Sequence, residues 1–84
     1  YYARAYFQAG LINLLFYDNV VRAGHLFKKA IDYDPHDSVI RFFYCQFLIQ
    51  IDKPLLAENL LIDGLNYPLT PEIKEKYLAL LTND

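Results

Sequence analysis

Asp34-Pro35 cuts off a helical apolar pattern that has run unbroken since residue 20, and a new apolar run starts at once. The residue before a proline is driven out of the α region, so no helix passes through Asp34. Similar breaks fall at Asp18-Asn19, at Asp52-Lys53-Pro54, and at Tyr67-Pro68-Leu69 followed by Thr70-Pro71. Breaks this close together leave only short helices, which must bury their apolar stripes against one another. The spacing predicts five helices, over about residues 2–17, 20–33, 38–51, 54–66 and 71–81. In the first, Ala3, Tyr6, Phe7, Gly10, Leu11 and Leu14 recur at helical intervals; in the second, Ala23, Leu26, Phe27, Ala30 and Ile31 do so. Lys28 and Lys29 stand toward the negative end of the second helix. Asp37 or Ser38 is placed to cap the third helix and Thr70 the fifth, while Pro54 and Pro71 suit first helical positions. No strand alternation persists anywhere, so the fold class is all-α.

The breaks recur with a period. Shifting the sequence by 34 residues lays Leu14 on Leu48, Asp18 on Asp52, Ala23 on Ala57, Leu26 on Leu60, Phe27 on Leu61, Ala30 on Gly64 and Tyr33 on Tyr67. Small falls on small, apolar on apolar and turn on turn. A period of this length built from two helices marks a stack of helical hairpins. Paired helices approach closely only where one side chain is minimal, so Ala23, Ala30, Ala57 and Gly64 mark the expected contacts.

The totals set the rest. In a chain of 84 residues, 55% are hydrophobic and 17% aromatic. A domain of that size hides only about 60 to 65% of its unfolded surface, so some apolar surface is expected to face a partner or neighbouring segments. Net charge is −2 with no basic stripe, which argues against nucleic acid. No apolar run reaches the about 18 residues of a membrane span, so no membrane insertion is expected. The chain opens on Tyr1 rather than Met and reads as a piece of a longer protein. The lone Cys45 has no internal disulfide partner, which fits a reducing, cytoplasmic setting.

Residues 10–35, GLINLLFYDNVVRAGHLFKKAIDYDP, resemble a tetratricopeptide repeat. Ala23, Phe27, Ala30 and Pro35 match that family's alanine, aromatic, alanine and proline at the right intervals, and KKAIDYDP is similar to its usual repeat ending. A second copy keeps Ala57, has Leu61 for the aromatic and Gly64 for the second alanine, and moves its proline to Pro68. Two positions depart: Leu11 stands where the family has a small residue, with Gly10 beside it, and Arg41 takes the place that Phe7 holds in the first copy. The resemblance implies one domain of antiparallel hairpins stacked as a short right-handed superhelix. Repeat one would span about residues 4–37 and repeat two about 38–69. The fifth helix, about 70–82, would cap them or begin a third repeat.

The resemblance also implies a concave groove lined by the first helix of each repeat, with the second helices facing outward. By register its residues are Gln8, Ile12, Leu15 and Phe16 from repeat one, and Val39, Phe42, Gln46, Ile49 and Gln50 from repeat two. The family's carboxylate clamp needs Lys, Arg and Asn there; Gln8, Ile12, Phe42 and Gln46 argue against such a clamp. An apolar groove of several hundred Å² is worth several kcal/mol at about 25 cal/mol per Å², before association costs. The expected function is therefore a protein–protein interaction module that holds a partner peptide or helix. The alternatives are a small chaperone similar to those of type III secretion, a structural spacer packed between further repeats, or self-association.

Catalytic and metal chemistry find little footing. His36 stands near Asp34 and Asp37, but that spacing also makes an ordinary turn and cap. His25 has no ligand partner at helical spacing. Cys45 occupies the small-residue position of its helix and reads as a buried apolar group. Phosphate loops, nucleophile elbows and His-Glu-x-x-His are missing. The charges of Glu72, Lys74, Glu75 and Lys76 read as a solvated face. No catalysis, cofactor or metal is expected.

Overall fold

A computed structural model of the protein describes residues 2–82. Five α-helices account for most of them: α1 (Tyr2–Leu15), α2 (Val20–Tyr33), α3 (Ser38–Gln50), α4 (Pro54–Gly64) and α5 (Pro71–Thr82). No strand is found among the described residues. Consecutive helices pack as hairpins, α1 with α2 and α3 with α4; the hairpins stack through α2 and α3, and α5 lies across α3 and α4.

The turn residues act much as their chemistry dictates. Asn19 accepts a hydrogen bond from the Arg22 amide at 3.1 Å and so caps α2. Asp37 Oδ1 takes the amides of Val39 and Ile40, both at 3.1 Å, and caps α3. Thr70 Oγ1 takes the Ile73 amide ahead of α5, and Pro54 opens α4 with no side-chain cap. Asp18 and Asp52 are the two non-glycine residues with left-handed backbone among the described residues, at φ 51° and 65°. They are the pair that the 34-residue shift superposes. After Asp52 the chain closes α3 with the Lys53 amide on the Leu48 carbonyl at 2.8 Å and the Asp52 amide on the Ile49 carbonyl at 3.2 Å, the paired bonds of a Schellman end. After Asp18 the Asn19 amide reaches one residue further back, to the Asn13 carbonyl.

Two helices end earlier than their apolar patterns suggest. α1 stops at Leu15 rather than near residue 17, because Asp18, not Asn19, takes the left-handed turn and Asn19 is committed to capping α2. α4 stops at Gly64 rather than residue 66. The amides of Leu65, Asn66 and Tyr67 then bond carbonyls three residues back, tightening the last turn.

The buried core joins both hairpins: Phe7 from α1; Ala23, Phe27, Ala30 and Ile31 from α2; Ile40, Tyr44, Cys45, Phe47 and Leu48 from α3; Ala57 and Leu61 from α4; Tyr77 from α5. The small positions mark close approaches. A Cβ on Gly10 would lie 2.6 Å from Phe27 Cε1, and one on Gly64 would lie 2.6 Å from Arg41 Cδ and 2.8 Å from Tyr77 Cε2. Gly10 thus makes room for the aromatic ring beside the bulky Leu11.

Cys45 is fully buried, with its thiol 3.6 Å from the Ala57 carbonyl, and burial pushes its pKa up to about 12. Tyr77 is fully buried too; its hydroxyl donates to the Ser38 carbonyl at 2.7 Å, and desolvation raises it to about 12.

Candidate functional site

Two clefts run between alternate helices, one on each side of α3. The first lies between α1 and α3, where a family groove would be. Leu11, Leu14 and Leu15 line it from α1, and Phe43, Gln46 and Gln50 from α3, around a volume of about 200 Å³. Phe27 and Phe47 close its floor. Phe43 leans on Phe7 at 5.5 Å between ring centres, and Arg4 pairs with Asp37 at 3.2 Å, so α1 and α3 are braced at two points.

Of the residues that the repeat register names, Leu15, Gln46 and Gln50 line this cleft. Gln8 and Ile12 are exposed on α1, Ile49 is exposed on α3, and Phe16 is 79% exposed just past the end of α1. Val39 is half-buried in the first turn of α3. Phe42 faces α5 instead, with its ring parallel to Tyr77 at 6.4 Å and capped by Lys76 Nζ at 5.7 Å. Leu11, Leu14 and Phe43 escape the register, each adjacent in sequence or one turn away from a named residue. Packing decides between neighbours here: Phe42 and Phe43 are equally apolar, and only the arrival of α5 turns one of them inward.

The second cleft lies between α2 and α4, over α3, and holds about 390 Å³. Val20 and Val21 form one wall, Leu56 the other, and Phe47 and Leu48 lie at its base. His25, Lys28 and Lys53 line it too, and no carboxylate does. Tyr44, only 6% exposed, turns its ring into the same cleft. Its hydroxyl makes no hydrogen bond among the described residues, and desolvation raises its pKa. Lys28 holds Asp32 through both carboxylate oxygens at 2.9 Å, which raises the Lys28 pKa. Lys53 has no ion-pair partner among the described residues. The repeat register places this side outward and gives no hint of a cleft. The available signal was Val20, Val21, Leu55 and Leu56: apolar pairs that open both second helices outside the buried pattern.

The histidines sit as turn and surface residues. Asp34 Oδ1 accepts the His36 amide at 3.3 Å, and the His36 ring meets Tyr67 edge-on at 4.5 Å. Among the described residues no group of three or more His, Cys, Asp or Glu is arranged to hold a metal. No helix among them is long and apolar enough to cross a membrane.

Comparison with protein-family models, with curated proteins and with solved structures finds no match to this chain.

Proposed function

We propose that the protein is a non-enzymatic interaction module of tetratricopeptide type. On this reading it takes an apolar peptide or helix of a partner protein against the α1/α3 side. The observation that carries the reading is a rigid face with unspent apolar surface. Ile12, Leu15 and Phe16, in or just past α1, and Phe43 and Ile49 in α3 are all 39% or more exposed. Gln46 and Gln50 stand in the cleft between them, placed to hydrogen-bond an extended backbone. Arg4–Asp37 and Phe7–Phe43 hold the two helices at a fixed spacing, so little ordering cost falls on binding.

The test is to pan a peptide library on the wild-type protein and on an Ile12→Asp/Leu15→Asp/Ile49→Asp variant, with circular dichroism to show that both stay helical. Apolar peptides retained by wild type and lost from the folded variant support the reading. Peptides held equally by both remove it.

A second reading, packing against another copy or further repeats, draws on one end of the molecule. There the end of α1 and the starts of α2 and α4 gather Leu15, Phe16, Tyr17, Val21 and Leu55, each more than 70% exposed. Sedimentation over a concentration series separates the two, since only this reading requires association without a peptide.

A further inference from the structure

The α2/α4 cleft combines three features. Its walls and base are apolar. Every ionisable side chain lining it is basic or, in Tyr44, a neutral donor, in a protein whose net charge is −2. Tyr44 also lines it, with a hydroxyl that makes no hydrogen bond among the described residues. We propose that this cleft is a binding site for a small amphipathic carboxylate, an alkyl or aryl acid, whose apolar body lies between Val21 and Leu56 and whose carboxylate is held by Lys53 and Tyr44.

The chemistry assigns each part. A volume near 390 Å³ lies within the roughly 300–1,000 Å³ of small-ligand sites. Val20, Val21 and Leu56 exclude water from the ligand body. Lys53 supplies the charge: it begins the turn into α4 and spends its ammonium on no other group among the described residues. Lys28 contributes less, because Asp32 already holds it. His25 adds a further donor at the rim. No carboxylate lines the cleft, the nearby Asp32 being held by Lys28, whereas a cationic amphiphile meets the like charge of Lys53. The inference is independent of the α1/α3 reading, because the two clefts share only the Phe47 ring at their base.

The experiment uses decanoate, decanol and decyltrimethylammonium as probes below their aggregation concentrations. Titrations follow the backbone amide resonances of the ¹⁵N-labelled protein. Decanoate is expected to move the resonances of residues 20–28 and 51–56 and to bind at least about tenfold tighter than decanol, with the ammonium weakest. Raising salt should weaken decanoate alone, as screening of a charge contact requires. Lys53→Glu should abolish the preference for decanoate over decanol while leaving the spectrum folded. Tyr44→Phe should weaken decanoate several-fold and leave decanol unchanged. Gly24→Leu, whose Cβ would stand 3.4 Å from Phe47 and whose side chain would grow into the cleft, should block all three probes. Equal binding of the three probes overturns the proposal, as do shifts confined to the α1/α3 side or no binding. So does an acidic apolar peptide that binds this cleft far more tightly than decanoate, which would assign the cleft to a protein partner.

Discussion

Phe7 and Arg41 stand 34 residues apart, at equivalent places in the two hairpins, and both are buried. In the first hairpin the place is filled by an aromatic ring that packs on Phe27 at 5.8 Å and on Phe43 at 5.5 Å. In the second it is filled by a guanidinium, 3% exposed as a residue. Arg41 donates to the Leu60 carbonyl at 2.9 Å and the Pro35 carbonyl at 2.8 Å, reaches Asp63 at 3.4 Å, and lies 5.5 Å from the centre of the Tyr67 ring. The two hairpins therefore both fill this place with a large side chain, but of different chemistry. Where the volume is charged, the fold surrounds it with acceptors near the C-terminal end of α4, where a helix favours a cation. Leu61 in place of Phe27 and Gly64 in place of Ala30 leave the space that the longer side chain needs.

The sharpest way to break this comparison is to remove one filling at a time. Arg41→Met keeps most of the volume but strips the Pro35 and Leu60 carbonyls of a charged donor. It should cost about 2–3 kcal/mol in chemical denaturation. Phe7→Met is nearly volume-conserving within an apolar site and should cost less than about 1.5 kcal/mol. Equal losses would mean that the Arg41 hydrogen bonds carry no net stability.

The two hairpins also differ at high pH. Cys45 and Tyr77, both in or against the second hairpin, are raised from 9.0 and 10.0 to about 12 by burial. Between those limits the unfolded chain loses these protons and the folded one keeps them. Stability is thus whole below about pH 9 and falls as pH rises toward 12. Urea midpoints measured from pH 8 to 11 should decline. The decline should be shallower for Tyr77→Phe, even though that variant starts lower for want of its bond to Ser38. A Tyr77→Phe profile parallel to wild type would show that Tyr77 does not contribute.

The smallest effect joins the hairpins instead of separating them. Asp18 and Asp52 share the left-handed backbone, and neither side chain makes a hydrogen bond among the described residues. Asp18→Gly and Asp52→Gly should each stabilise by about 0.5–1 kcal/mol, since glycine adopts that conformation without strain. If only one of them gains, the two turns are not equivalent despite their shared backbone.

The hairpin plan was legible because it rests on local rules: proline and aspartate breaks, caps, and the recurrence of Ala23, Phe27 and Ala30 as Ala57, Leu61 and Gly64. The burial of Phe7 and Cys45 followed from the same register. The surface was less legible. Choosing between Phe42 and Phe43 depends on where α5 lands, and that is a contact between residues far apart in the chain. The α2/α4 cleft depends on the angle at which two hairpins stack, which no periodicity encodes. Its basic lining is collected from α2 and from the turn before α4, so no charge run announced it.

The Tyr77–Ser38 bond spans 39 positions, while each hairpin closes through neighbours. Helical hairpins with short connections assemble quickly, and closing a longer loop comes later because its entropy must be spent first. By this rule α1–α2 and α3–α4 are expected to form early, and the swing of α5 onto α3 to belong, with the Phe7–Phe43 contact, to the late, long-range steps. Until that step is complete, the ring of Phe42 stays wet.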